Sequence, residues 1–151
     1  MNRAETIEIS AVIPAFNEEE ALPPLLDEVF AVLNELNRPF EVIVIDDGST
    51  DGTPAFLERR RETTPGLRVL TLVPNSGQTA AFEAGFSAAR GEFLITMDAD
   101  GQNAPAAIPH MMELTPGVDA VLGVRAKRQD PWIRTFAQKT ANAIRNRLLG
   151  I

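Results

Sequence analysis

Five short apolar runs, at residues 7–15, 40–45, 67–73, 93–97 and 118–124, alternate with segments patterned as helices, and that alternation leaves few folds open. Leu22, Leu25, Leu26, Val29 and Leu33 fall at helical spacing after the first run, in a helix expected to reach about Leu36. Residues 79–89 form a second clear helix, rich in small side chains that allow close packing on a sheet, and Gly91 stops it. Pro105 starts a short helix ending near Leu114. The predicted order is β-α-β-α-β-α-β-α-β. It implies an α/β fold with a mostly parallel sheet and helices on both faces. At 151 residues and 44% hydrophobic content, the chain has material for one such domain with a real core.

In a parallel sheet the loops that follow the strands share one edge, and here those loops hold the polar chemistry. Strand one runs into Pro14-Ala15-Phe16-Asn17 and then Glu18-Glu19-Glu20. Asn17 is placed to cap the following helix, and the three glutamates to favour its positive end; one of them could also meet a ligand. Strand two runs into Asp46 and Asp47, followed by Gly48-Ser49-Thr50-Asp51-Gly52-Thr53. Turn and cap chemistry accounts for Asp51 and Thr53. Two carboxylates at a buried strand end are costly without a partner, which points to a ligand on at least one of Asp46 and Asp47.

Strand four drives into Asp98-Ala99-Asp100-Gly101-Gln102. Alternate side chains of an extended backbone share a face, so the two carboxylates can converge just past the strand end. Paired hard oxygen ligands suit Mg2+ or Mn2+, which take their other ligands from water and a substrate's phosphates. The same residues also read as a turn. The GxGxxG fingerprint and the GxxxxGK[ST] loop are both missing, so any phosphate here is held by another device, and a metal supplies one.

Charge and composition narrow the partners. Net charge is −7, with 20 acidic against 7 basic residues through Val124 and 7 basic against 1 acidic from Arg125 onward. An acidic body argues against nucleic acid, while the basic end can hold an anion or sit on anionic lipid. Cysteine is absent, which removes disulfides and thiolate chemistry. The sequence shows neither a membrane-spanning run nor a signal-peptide core.

Val-Ile-Pro-Ala-Phe-Asn-Glu-Glu, Asp-Asp-Gly-Ser-Thr-Asp-Gly-Thr, Asn-Ser-Gly with its Ala-rich helix, and Met-Asp-Ala-Asp-Gly-Gln stand in the order and approximate spacing of the family 2 glycosyltransferases. The chain most resembles their polyprenyl-phosphate branch, which includes dolichol-phosphate mannosyltransferase, over essentially its whole length. The resemblance implies the Rossmann-like, nucleotide-binding GT-A fold. It also implies metal-dependent, inverting transfer of a sugar from a UDP- or GDP-sugar to a lipid phosphate, at the cytoplasmic face of a membrane. Pro14, Ala15, Phe16 and Glu18 match the first nucleotide-contacting loop, and Asp47 matches the acid that meets base or ribose. Asp98, Asp100 and Gln102 match the metal and diphosphate site. Arg125 matches an arginine that faces the acceptor phosphate, with Arg134 as a second. Planar, bidentate arginine suits that task.

On this reading residues 1–124 form the nucleotide-sugar-binding domain and residues 125–151 a basic, acceptor-side segment. The chain stops at Gly150-Ile151, where family members continue, so the acceptor half is expected to be missing. A helix over residues 131–149 would place Ile133, Phe136, Ala137, Thr140, Ile144 and Leu148 on one side. It would pack on its own domain or lie on a membrane surface with Arg134 and Arg145 at lipid phosphates. His110, the sole histidine, matches nothing catalytic and reads as a solvated or core-edge residue. A nucleotidyltransferase would bring a glycine-rich, basic first loop, which Pro-Ala-Phe-Asn-Glu is not. A non-catalytic nucleotide-sugar-binding module is the remaining alternative, separated from an enzyme by turnover.

Overall fold

The computed structural model describes residues 6–123. The chain divides into two units, Met1–Pro116 and Gly117–Ile151. The first unit contains β1 (Ile9–Ala15), α1 (Leu22–Glu35), β2 (Phe40–Asp46), α2 (Thr53–Thr63), β3 (Leu67–Thr71), α3 (Gln78–Ala88) and β4 (Phe93–Thr96). A 3-10 turn at Pro105–Ala107 leads into a short helix, α4 (Ile108–Glu113).

All strand pairs are parallel, in the order β3-β2-β1-β4. β1 and β2 pair along their full length, from Ile9 opposite Phe40 to Ala15 opposite Asp46. β4 pairs with β1 over only four positions, Ile9 opposite Phe93 through Val12 opposite Thr96. The chain therefore builds outward through β2 and β3, then returns to the far side of β1. That reversal opens a crevice at the carboxyl ends of β1 and β4, where open α/β sheets bind ligands.

Period-two alternation sorts the buried side chains between two cores. Ile9, Ala11, Ile13, Val42 and Val44 face a layer of α1, α2 and α4 side chains that includes Leu22, Leu26, Leu33, Leu57 and Ile108. Val12, Ile43 and Ile45 face Ala81 of α3 on the other side. The small residues of α3 are needed because this helix lies hard against the sheet. A Cβ built on Gly85 would press on Val12 Cγ1 and come within 2.8 Å of Ile45 Cδ1.

A buried polar cluster holds the opposite end of the sheet. Glu41, 1% exposed, accepts hydrogen bonds from Ser10 Oγ at 2.8 Å, Arg68 at 2.8 Å, and the Arg90 side chain at 2.6 Å. The Arg90 backbone N–H also donates to it at 2.9 Å, and the Gly91 N–H donates to Ser10 Oγ at 2.9 Å. These bonds tie the exit of α3 to β1 and β2.

The structure departs from the expected elements in two places. Residues 118–123 form no strand, and Val118 and Leu122 are exposed. A β-branched run becomes a strand only where a neighbour satisfies its backbone donors and acceptors. Asn17 does not cap α1. That helix starts at Leu22 with Ala21 at its N-cap and no acidic residue in its first turn, so Glu18, Glu19 and Glu20 precede it. The tail helix expected over 131–149, with Arg125 and Arg134, lies outside the described residues.

Candidate functional site

The polar residues that do not serve α1 stitch two strand-end loops together. The Asn17 side chain accepts the Thr50 N–H at 2.8 Å, and the Asn17 N–H donates to Ser49 Oγ at 2.9 Å. The Glu18 N–H donates to Thr53 Oγ1, and the Glu19 N–H to Asp51. Glu19 Oε2 accepts the Gly52 N–H at 2.6 Å, at the start of α2. Asn17 adopts a left-handed backbone with φ 57° to make this joint, a region asparagine tolerates better than most residues.

Asp46 and Asp47 are 2% and 4% exposed, and each has internal partners. Asp46 Oδ1 accepts the Ser49 N–H at 3.0 Å. Asp47 Oδ1 accepts the Ser76 N–H at 2.7 Å, and its Oδ2 accepts the Gly77 N–H at 2.8 Å. The Asn75 side chain in turn donates to the Asp47 carbonyl. Burial of these acids is offset by backbone donors from nearby turns, a route that loop chemistry hides from sequence reading.

The Asp98–Asp100 segment forms the turn its sequence suggested. The chain turns at Ala99 to Gly101, with Gly101 at φ 69°, and Asp100 Oδ1 accepts the Gln102 N–H at 2.9 Å. Asp98 and Asp100 nonetheless line one cleft of about 370 Å³. Pro14, Ala15, Phe16 and Glu18 from the β1 loop line the same cleft, as does Asp47 from the end of β2. Gln102 is not among its lining residues, and His110 is an exposed surface residue 3.3 Å from Glu113.

Gln78 was not expected at the site. It is the first residue of α3, it lines the cleft, and its Nε2 donates to Asp98 Oδ1 at 2.7 Å. A glutamine at a helix start carries no local signal of a partner twenty residues away.

The cleft is electrostatically one-sided. Burial, then the negative charges of Asp100 and Asp51, push the Glu18 carboxyl above its ordinary range. Among the described residues no lysine or arginine lines the cleft. Nor do three acidic, histidine or cysteine side chains converge there to enclose a metal. Two carboxylates in an open, acidic cleft fit a hard divalent cation that keeps waters and shares a phosphate ligand. They do not fit a closed structural metal centre.

The model for glycosyl transferase family 2 matches residues 10–150. The chain belongs to that family. It is 41% identical over 154 residues to undecaprenyl-phosphate 4-deoxy-4-formamido-L-arabinose transferase of Serratia proteamaculans, covering 99% of this chain and 47% of the relative. The enzyme of the same name from Pseudomonas aeruginosa strain LESB58 is 40% identical over 145 residues, covering 95% of this chain and 43% of its own. The chain thus spans about half the length of the curated relatives it matches.

Among solved structures, the mannosyltransferase PcManGT of Pyrobaculum calidifontis, in complex with GDP-Man and Mn2+, superposes with a TM-score of 0.58. It is 29% identical, over 74% of this chain and 33% of that one. Glucosyl-3-phosphoglycerate synthase of Mycobacterium tuberculosis, with Mn2+, UDP and phosphoglyceric acid, gives 0.59 at 26% identity, over 75% and 40%. These neighbours are GT-A glycosyltransferases, a mixed α/β fold that this chain shares.

Proposed function

We propose that this chain is the donor-binding part of an inverting glycosyltransferase that moves a sugar from a nucleotide diphosphate to a polyprenyl phosphate. The observation that carries the reading is the acidic cleft to which the loops after β1, β2 and β4 all contribute, at the topological switch point. The names of the family relatives support a polyprenyl-phosphate acceptor. Neighbours crystallised with GDP-Man or UDP and Mn2+ support a nucleotide donor and a divalent ion, Mg2+ or Mn2+.

In this reading Pro14, Ala15 and Phe16 form the nucleoside wall, and Glu18 flanks it. Asp47 reaches the base or ribose with the lone pairs its loop partners leave, since a carboxylate offers about four acceptor sites. Asp98 and Asp100 would hold the divalent ion, with Gln102 beside them. Bound there, the ion supplies Lewis-acid stabilisation of the diphosphate as its bond to the sugar breaks. The acceptor phosphate is largely ionised at neutral pH, since its second pKa is about 6, so it needs orientation more than a general base. Arg125 and Arg134 are the residues proposed for that, in the acceptor-side segment from residue 125 onward. A lipid phosphate acceptor places the work at a membrane surface, with the chain peripheral to the cytoplasmic face. Among the described residues no helix is long and apolar enough to cross a membrane.

Calorimetry with UDP, GDP and their sugars, with and without Mn2+, tests the reading. Asp98→Asn and Asp100→Asn should each abolish Mn2+-dependent binding with little loss of fold stability, because both acids lie beyond a strand end. Unchanged metal-dependent binding in both variants refutes the site.

A further inference from the structure

The cleft has two walls that come from different parts of the chain. One is the joined pair of loops after β1 and β2. The other is the turn after β4 that carries Asp98 and Asp100. Gln78 bridges from α3 to that second wall through its hydrogen bond to Asp98 Oδ1.

We propose that Gln78 is a positioning residue that holds Asp98 in the orientation needed to bind the divalent ion. The inference rests on the metal reading given above and adds to it a residue on a different element from either ligand. Four observations support it.

The first is the chemistry of the contact. The side-chain nitrogen of glutamine is a donor only, and a 2.7 Å approach to a carboxylate is a short, charge-assisted bond. It engages one oxygen. Among the described residues no hydrogen bond reaches Oδ2 of Asp98, so it stays available for an ion.

The second is electrostatic. Asp98 shares its cleft with Asp100, Glu18 and Asp47. Without a cation, like charges favour a rotamer that carries Asp98 away from its neighbours. The amide opposes this by fixing Oδ1 before the ion arrives, so less side-chain freedom is lost on binding.

The third is that Gln78 is itself held. The residues before it are fastened to the end of β2 by the Ser76 and Gly77 N–H bonds to Asp47. Gly77 takes φ 87°, a conformation that L side chains rarely adopt, and so sends the chain into α3 at this point. Gly48 closes against the same loop, since a Cβ there would lie 2.9 Å from the Asn75 nitrogen.

The fourth is that α3 cannot drift. Its seating on the sheet at Gly85 leaves no room for even a methyl group. Asp47 therefore acts at a distance on Asp98, through the 76–77 backbone and the Gln78 amide, in addition to any contact it makes with a nucleoside.

Partners that orient metal ligands commonly change metal affinity by about 10- to 100-fold when removed. The test uses the 151-residue chain, Mn2+ as the ion, and UDP and GDP as separate probes. Free Mn2+ is followed by electron paramagnetic resonance during titration at saturating diphosphate. Gln78→Met keeps the length and removes the donor; Gln78→Ala removes the side chain. Both should raise the Mn2+ half-saturation concentration about 10- to 100-fold. Both should leave metal-free binding of UMP or GMP and the melting temperature as in the wild type, which a merely structural role would not do. Wild-type protein that binds Mn2+ with a diphosphate, beside variants whose half-saturation lies within about twofold of it, overturns the role of Gln78 alone. Wild-type protein that takes up no Mn2+ with either diphosphate overturns the metal reading and this inference together.

Discussion

Replacing Glu41 by glutamine isolates what one buried charge contributes to this sheet. The carboxylate is 1% exposed, and burial alone would raise its pKa. Hydrogen bonds from Arg90, Arg68 and Ser10 overcome that and hold it down to about 2, from 4.5. A depressed pKa means the folded state prefers the ionised form. The stabilisation is therefore fully present above about pH 4.5 and is lost as pH falls through about 2. At 1.36 kcal/mol per pH unit the shift corresponds to about 3 kcal/mol. Arg90 is 60% exposed, so solvent screens part of its share, leaving roughly 2 to 3 kcal/mol. Glutamine has the shape of the protonated acid and should lose that amount at pH 7. Urea unfolding is the appropriate assay, since guanidinium would screen the charges. The gap between wild type and Glu41→Gln should narrow between pH 4.5 and pH 2. Nucleotide binding by the folded variant should be unchanged, because Glu41 lies about 16 Å along β2 from Asp46, at 3.3 Å per residue. A gap under about 0.5 kcal/mol at pH 7, or one that does not change with pH, refutes the argument.

Substitutions at three further positions probe the elements around the cleft. Asp47→Ala should weaken binding of UMP or GMP even without metal, measured by calorimetry, and should cost about 1 to 3 kcal/mol in urea by stranding the Ser76 and Gly77 donors. Gly85→Ala should destabilise the protein despite the roughly 1 kcal/mol better helix propensity of alanine, because overpacking costs about 1 to 3 kcal/mol; a more stable variant would contradict the close seating of α3. Asn17→Ala should lower stability by roughly 1 to 3 kcal/mol, through a lost bond and a positive φ that alanine resists, and Asn17→Gly should lose less. Equal losses in the two Asn17 variants would remove the backbone contribution.

The strand-loop plan and the acidic edge were legible because both depend on local pattern. An apolar run that ends in Asp or Asn announces its own boundary, and parallel topology then puts the ends together. What was not legible depends on partners far along the chain. Asn17 reads as a helix cap when only its neighbours are considered, yet its side chain joins Thr50, 33 residues away. Asp47 reads as a carboxylate lacking a partner until the 75–77 loop folds over it. Gln78 shows nothing until α3 sets it opposite Asp98. The run at 118–124 has strand composition, but composition cannot supply the neighbouring backbone a strand requires, and residues 118–123 form none.

The short pairing of β4 has a consequence for how the protein acquires its site. The joint between residues 16–20 and 48–53 can close once the first β-α-β unit has formed. Asp98 and Asp100 reach the cleft only when β4 docks on β1 across more than eighty residues of chain, in a register of four paired positions. A pairing of four positions opens more readily than the seven-position pairing of β1 with β2. Any ligand that touches both walls binds only the docked state, and so draws the strand in by mass action. Ligand occupancy and the closure of the sheet are then one equilibrium, and amide exchange at Ile95 and Met97 is where it would be read.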